Sequence, residues 1–338
     1  MDRSASHELY FSFFMFTADL RPDDVDYRKT IIRHIRELTA LGYAGFDVPI
    51  APPAAGGFSG DLERYARLRD ALDEAGLEAV PLSTNVGATR RFDPTSEYAE
   101  QRQAALAYLK SRVDITAALR GPIMAGPIIF PYNVFPLTDS GEPIWSDALQ
   151  DWAAQRRDFA QPVLNELGEY AGERGVSLAI EPVDHWEQPA PNHVGEVLAF
   201  LEGVESPRLG VCIDSAHVML GGDGPAAFAD HVAQVGELGR IHSVHISPPD
   251  RGAFHDSWIP WQQFLEPVLA HYDGPLLVET FNAVPVFHSP LRLSRRKFWI
   301  PGEDPAVADV LDAYTVAAKA IATVRDHLSS ITSAATGP

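Results

Sequence analysis

Four residues that could bind a metal ion recur at nearly equal spacing in the second half of this 338-residue chain. Each stands near the end of an apolar run, and the four are Glu181, Asp214, His245 and Glu279. Their separations of 33, 31 and 34 residues are close to the length of one strand plus one helix. In a (β/α)8 barrel, the C-terminal ends of successive strands meet at one face and build one site. The spacing therefore predicts such a barrel, with these four side chains brought together.

Apolar, strand-like segments alternate with helical patterns along the whole chain. The segments lie near 8–17, 44–50, 79–86, 122–130, 176–183, 208–214, 241–247 and 275–281. Between them, apolar residues recur at three- and four-residue steps, which indicates helices. Nearly continuous apolar runs are typical of parallel strands that are covered on both faces. The alternation predicts one α/β domain, a (β/α)8 TIM barrel over residues 1–328, with its active site at the C-terminal ends of the strands.

The end of the chain departs from this alternation. The segment 282–304 is the longest interruption, and loops of this length often serve function, so we expect a lid or rim over the barrel mouth. A final helix is predicted from about 305 to 328. The small and polar residues of 329–338 predict a disordered tail.

Charge and composition exclude several classes of partner. The chain carries 46 acidic and 27 basic residues, a formal net charge of −19, which repels nucleic acid phosphates and argues against a nuclease. No apolar run approaches the roughly 20 residues that span a bilayer, so no membrane partner is expected. The short apolar stretch near the N-terminus fits a first barrel strand better than a signal peptide.

The cysteine content bears on the compartment. The single cysteine, Cys212, lies inside an apolar run and has no partner for an internal disulfide. This favours a buried thiol in a reducing compartment, so a cytoplasmic location is expected. The sequence leaves the oligomeric state open, a homo-oligomer included.

The four spaced residues indicate which metal ion would bind. Two Glu, one Asp and one His form an oxygen-rich set with a single nitrogen. Such a set suits a hard or borderline divalent cation, with Mn²⁺ the best candidate and Co²⁺ or Mg²⁺ as alternatives. Any one of these residues alone could be a helix cap or a solvated turn residue, so the prediction depends on their joint spacing.

Several motifs of the second half carry a resemblance to a known family. They are EPVDHWE at 181–187, DSAH at 214–217, HISPPDR at 245–251, IPW at 259–261 and VETF at 278–281. Together they resemble the D-tagatose and D-allulose 3-epimerase branch of the sugar isomerase/epimerase barrels, the xylose isomerase-like TIM-barrel family. The resemblance covers most of the chain. It departs at Pro248 and Pro249, where that branch favours a Gly-Glu pair.

The resemblance implies a role for each matching residue. The implied metal ligands are Glu181, Asp214, His245 and Glu279, and the implied proton-transfer residues are Glu181 and Glu279. The residues implied to contact the sugar are Glu187, His217 and Arg251. Outside the resemblance, these three could also be an ordinary loop acid, a helix cap and a surface charge.

The implied reaction is inversion of carbon 3 of a free ketose, through a metal-stabilised enediolate. A metal on the sugar oxygens stabilises the charge that develops, while one carboxylate removes a proton and a carboxylic acid on the other face returns it. Two alternatives use the same barrel: an aldose–ketose isomerase and a dehydratase of a keto-sugar or inosose. A barrel endonuclease and a non-catalytic sugar-binding protein are less consistent with the acidic charge and the intact ligand set.

Overall fold

The computed structural model describes residues 7–53, 57–281 and 298–335. Eight parallel strands form a closed barrel, in which each strand pairs with its neighbours along the chain and β1 pairs with β8. The strands β1 to β8 are Leu9–Ser12, Gly45–Pro49, Leu82–Asn85, Ile123–Gly126, Ser177–Ile180, Leu209–Asp214, Ile241–Ile246 and Leu276–Val278. The predicted (β/α)8 TIM barrel is therefore confirmed.

Helices follow the strands and cover the outside of the barrel. Those in the described part of the chain, α1 to α9, are Val25–Leu41, Asp61–Glu74, Ala99–Ala118, Ser146–Gly172, Val194–Leu201, Ser215–Gly221, Pro225–Glu237, Trp261–His271 and Ala313–Ala335. The connection between β6 and β7 contains two of them, α6 and α7. Among these described helices, none combines the length and apolar character needed to cross a membrane.

Local sequence explains where the first helix begins and ends. The side chain of Asp24 caps α1 by accepting hydrogen bonds from the backbone N–H groups of Asp26 and Tyr27. The helix stops at Gly42, whose φ of 102° lies in the left-handed region that glycine adopts at little cost. Ile31, Ile35 and Leu38 share one buried face of this helix.

Several strands are shorter than the apolar runs that predicted them, because the loops at the barrel mouth are buried too. After β1 the chain turns into a 3-10 helix over Phe13–Met15 instead of continuing as a strand to residue 17. After β4 the strand ends at Gly126, although Ile128 and Phe130 remain fully buried. Gly126 has a φ of 127°, and a Cβ there would lie 2.2 Å from the carbonyl oxygen of Val86.

Small residues occupy part of the barrel interior. Ala125, Ala179 and Cys212 form a buried cluster that is separate from the main hydrophobic core. Side chains alternate between the two faces of a strand, so residues two positions further along point the same way. Glu181 and Asp214 therefore share the interior face with Ala179 and Cys212, at the C-terminal end of the barrel.

The end of the chain differs from the prediction. Two short parallel strands, β9 (Phe298–Trp299) and β10 (Leu311–Asp312), precede the last helix. Helix α9 begins at Ala313 rather than near 305, because the side chain of Asp312 accepts hydrogen bonds from the N–H groups of Tyr314 and Thr315. Of the predicted lid, residues 282–297 lie outside the described residues.

The predicted tail is also largely helical. Helix α9 continues to Ala335, so the prediction that disorder begins at residue 329 was wrong for 329–335. Ile331 packs against the hydrophobic core, and the hydroxyls of Ser330 and Thr332 donate to carbonyl groups one turn earlier in the same helix. Residues 336–338 lie outside the described residues.

Candidate metal centre

The four spaced residues meet at the C-terminal mouth of the barrel. Glu181 directly follows β5, Asp214 ends β6, His245 lies in β7 and Glu279 directly follows β8. One ligand atom from each of the four lies within 4.8 Å of the others, and all four residues are buried. Adjacent parallel strands end at the same face, which explains how residues about 100 positions apart converge.

The chemistry of this cluster fits a divalent cation. Three carboxyl groups are gathered away from water, and burying negative charge is costly unless a cation or protons compensate it. Neither ring nitrogen of His245 has a hydrogen-bond partner among the described residues, although Nδ1 lies 3.4 Å from Oε1 of Glu181. A buried imidazole nitrogen facing carboxylates is an available metal ligand. Glu181, Asp214, His245 and Glu279 are the residues that would hold the ion.

Asp214 is fixed by contacts on both oxygen atoms. Its Oδ1 accepts hydrogen bonds from the backbone N–H of Ala216 at 2.6 Å and from the hydroxyl of Ser247 at 2.7 Å. This makes Asp214 the N-cap of α6. Its Oδ2 lies 2.9 Å from Nη1 of Arg251, which forms a buried ion pair.

Arg251 reaches the cluster from the loop after β7. Its Nη1 also lies 3.1 Å from Oε2 of Glu279, so one guanidinium bridges two of the three carboxyl groups. Its backbone has a φ of 57°, a left-handed conformation that costs a non-glycine residue about 1 kcal/mol or more. Two backbone hydrogen bonds hold it, one to the carbonyl of Pro248 and one from the N–H of Phe281.

The predicted sugar-contacting residues adjoin the metal ligands. Nη2 of Arg251 donates to Nε2 of His217 at 2.8 Å. Nδ1 of His217 lies 3.2 Å from Oδ1 of Asp184, and these two residues form a second close group with Glu187. The structure therefore brings all seven predicted site residues into one continuous site, although their roles stay a prediction.

Burial and neighbouring charges shift the pKa values of the acidic residues in opposite directions. Burial would raise the pKa of Asp214, but Arg251 and two histidines outweigh burial and hold that pKa well below its usual range. At Glu279 burial dominates and raises the pKa to about 8. A protonated Glu279 beside an ionised Asp214 limits the negative charge of the metal-free cluster. A bound divalent cation would displace such protons.

Other residues of the site were not predicted from the sequence. Ser247 donates to Asp214 and accepts from Nη1 of Arg251 at 2.6 Å. Ser12 donates to Oε1 of Glu279 at 3.2 Å, from the opposite end of the chain. On β2, the buried Asp47 accepts a hydrogen bond from Ser83. The position of Ser247, two residues after His245, is the one signal that could have found any of these.

Comparison with known proteins adds a family to this geometry. A family model described as the xylose isomerase-like TIM barrel matches residues 35–305, most of the chain. The chain belongs to the xylose isomerase-like TIM barrel family. The match extends from α1 to the segment before α9, so every member of the site from Asp47 to Glu279 lies within the xylose isomerase-like region.

Individual relatives lie within the same group of barrels. A ketose 3-epimerase of Arthrobacter globiformis is 24% identical over 291 residues, which cover 85% of this chain and 88% of the relative. A crystal structure from Anabaena variabilis, of a protein provisionally named a sugar phosphate isomerase/epimerase, is 55% identical. It superposes with a TM-score of 0.94 over 97% of this chain and 100% of that chain.

A third relative was solved with a sugar bound. The D-allulose 3-epimerase of Methylomonas sp., in complex with D-allulose, superposes with a TM-score of 0.73 at 20% identity. The match covers 95% of this chain and 97% of that chain, and at this identity it shows a shared fold. The predicted resemblance to the ketose 3-epimerases is thereby confirmed.

Proposed function

We propose that this isomerase-class enzyme is a metal-dependent epimerase that inverts carbon 3 of a free ketose. One observation carries the proposal: Glu181 and Glu279 reach the same buried cluster from two non-adjacent strands, β5 and β8. Inversion requires one group to remove a proton from one face of the carbon and another to return a proton to the other face. Two carboxyl groups on separate strands can flank a sugar in this way.

One group of site residues would bind the metal ion, and a second group would contact the sugar. Asp214 and His245, with the two glutamates, would hold a divalent ion, for which Mn²⁺ is the best candidate and Co²⁺ or Mg²⁺ are alternatives. When bound, the ion supplies electrostatic stabilisation for negative charge that develops on the ketose oxygens. Hydrogen bonds from Ser12 and Arg251 fix the orientation of the Glu279 carboxyl group.

Arg251, His217 and Glu187 are proposed to contact the sugar hydroxyls. They form a contiguous group beside the metal ligands, and the Arg251 side chain touches both sets. A substrate held by these groups would present carbon 3 to the two glutamates in a fixed orientation, which is a large part of catalysis. The name of the Arthrobacter globiformis relative, ketose 3-epimerase, supports a ketose as the substrate.

The charge of the site favours a free sugar over a sugar phosphate. The seven proposed site residues contain four acids and one arginine, and that arginine already pairs with Asp214 and Glu279. A phosphate dianion placed there would meet mostly negative charge. We also retain a cytoplasmic location as a proposal, on the basis of the buried thiol of Cys212.

The decisive experiment combines a substrate screen with isotope exchange. Purified protein is treated with a chelator, reloaded with Mn²⁺, Co²⁺ or Mg²⁺, and incubated with free ketohexoses and ketopentoses and their phosphates. We expect the carbon-3 epimer from a free ketose, loss of activity on chelation and, in deuterated water, deuterium at carbon 3. Glu181→Gln and Glu279→Gln should each lose turnover by about three orders of magnitude at saturating metal. Glu202→Gln, on an exposed position, is the matched control.

The products also test the alternatives. An aldose would establish an aldose–ketose isomerase, and loss of water from a keto-sugar or inosose would establish a dehydratase. Either product without a carbon-3 epimer would overturn the epimerase proposal. Full turnover in a metal-free preparation would overturn the metal dependence.

A further inference from the structure

Three residues outside the metal centre form a second cluster with metal-ligating side chains. His193 is the N-cap residue of α5, Asp223 lies in the connection between α6 and α7, and His231 lies in α7. One ligand atom from each lies within 4.8 Å of the other two. The Nδ1 atoms of His193 and His231 lie 3.9 Å and 3.8 Å from Oδ2 of Asp223.

The contacts within this cluster are too long for direct hydrogen bonds. Both Nδ1 atoms are buried and have no hydrogen-bond partner among the described residues, although the two side chains as a whole are 28% and 23% exposed. Buried polar atoms nearly always have a partner, so two orphaned nitrogens that face one carboxylate require an explanation. Ligands bound to one tetrahedral zinc ion lie about 3.4 Å apart, given metal–ligand bonds of about 2.1 Å. The observed gaps of 3.8–3.9 Å would close around an ion with a small movement of the side chains.

We propose that His193, Asp223 and His231 form a second metal site that binds Zn²⁺. Two imidazole nitrogens and one carboxylate suit zinc better than Mn²⁺ or Mg²⁺, which prefer the oxygen-rich set of the barrel centre. Asp223 is 40% exposed, so water can complete the coordination. Nε2 of His193 lies 4.0 Å from Oε1 of Glu196, and a carboxylate near the second ring nitrogen is typical of metal-binding histidines.

The backbone around the cluster holds one ligand in place. The ring of His231 packs against Gly195, where an added Cβ would lie 2.5 Å from Cε1 and 2.9 Å from Nδ1. The two imidazole rings stack with centroids 5.9 Å apart. A side chain at position 195 would therefore push His231 away from Asp223 without removing any ligand.

The second site would join two segments that β6 separates in the sequence. His193 ends the loop that begins at Glu181 and carries Glu187, whereas His231 belongs to α7, which follows β6 and α6. An ion bound by both would fasten the end of this loop to α7. The site shares no residue with the metal centre or with the proposed sugar contacts, so its zinc content can be measured separately from the epimerase reaction.

Zinc stoichiometry tests the proposal directly. The metal-free full-length chain is dialysed against Zn²⁺ and then against zinc-free buffer, and its zinc content is measured by elemental analysis. We expect His231→Gln to retain one zinc ion per chain fewer than the wild type. His271→Gln, an exposed histidine on α8, is the matched control and should equal the wild type. Equal zinc in His231→Gln and the wild type would overturn the proposal.

A second variant keeps the test independent of folding defects. Gly195→Ala retains all three ligands and improves helix propensity within α5, so the variant should fold. We expect it to lose the same zinc ion, together with the part of the zinc-dependent rise in melting temperature that this ion contributes by ligand linkage. Wild-type zinc content in Gly195→Ala would overturn the proposal even if His231→Gln is insoluble. Asp214→Asn should show the reverse pattern and keep this ion while losing the one in the barrel.

Discussion

Arg251 and Asp214 form a buried ion pair, with Nη1 2.9 Å from Oδ2. The residue proposed to contact the sugar is thus bonded to a residue proposed to hold the metal. The same Nη1 atom lies 3.1 Å from Glu279, so the guanidinium neutralises part of the carboxylate charge that would attract a cation. If both proposed roles hold, metal binding and sugar binding would be linked through the Arg251 side chain.

From this linkage we expect Arg251→Ala to lower kcat/KM without lowering the affinity for the metal ion. The change removes a positive charge beside the metal ligands, so Mn²⁺ should bind at least as tightly as in the wild type. The value of kcat/KM should fall about 100-fold, because the sugar loses its orientation. Arg251→Lys is the matched control: it keeps the charge, lacks the planar fork, and should restore little activity. Metal titration and steady-state kinetics measure the two effects, and parallel loss of both would contradict a role at the sugar.

Most of the site could be predicted from the sequence, because each of its proposed metal ligands stands at the end of its own strand. Glu181, Asp214, His245 and Glu279 stand where their strands end, and parallel strands in a barrel all end at the same face. Ser12 could not be found in this way. It lies 267 residues from Glu279, and the two meet only because β1 pairs with β8 to close the ring.

Other features depend on conformations that residue type does not indicate. The turn that directs Arg251 into the site requires a positive φ, which a sequence pattern would assign to glycine rather than to arginine. For a related reason, several strands end earlier in the chain than the sequence predicted. Apolar residues such as Ile128 fill the barrel mouth outside any strand, so hydrophobicity alone does not mark where β4 stops.

Asp214 caps α6 and is also a proposed metal ligand, and the two roles can be separated by mutation. Asp214→Asn keeps an oxygen that can cap the helix but removes the charge, so metal affinity should fall at least about 100-fold, and loss of the buried ion pair with Arg251 should also lower the stability of the metal-free protein. Asp214→Ala should lose the same affinity and about 1 kcal/mol more in the free energy of unfolding. Asp24→Asn, at the cap of α1, is the control. Equal metal affinity in Asp214→Asn and the wild type would exclude Asp214 as a ligand.

Cys212 should be inert in the folded protein. It is fully buried in the barrel, and burial raises the pKa of its thiol to about 12. The reactive thiolate is then scarce near neutral pH, so a disulfide reagent should react about 1,000-fold more slowly than with an exposed cysteine of pKa about 8.5. Because the chain has one cysteine, the absorbance of the thiolate that the reagent releases measures the reaction of Cys212 alone. The unfolded chain in guanidinium is the control, and rapid labelling of the folded protein would contradict the burial.

His34 offers a test of how pH affects stability away from the metal centre. Its Nε2 and Nδ1 lie 2.8 Å from Oε1 of Glu303 and from the hydroxyl of Tyr314, and its ring stacks on Phe16 with centroids 4.0 Å apart. Burial lowers the pKa of His34, although Glu303 partly opposes it. The folded state therefore favours the neutral ring.

The sign of the effect follows from this lowered pKa. In the unfolded chain His34 takes up a proton at a higher pH than in the folded chain. Its full contribution to the free energy of unfolding is therefore present above about pH 6.5. As the pH falls from there towards the folded pKa, His34 should cost about 1.4 kcal/mol of unfolding free energy per pH unit. His34→Asn should be less stable near neutral pH but should lack this part of the pH dependence. Urea unfolding at several pH values measures it, with exposed His271→Asn as the control. An unchanged slope in His34→Asn would show that His34 does not titrate below its unfolded pKa.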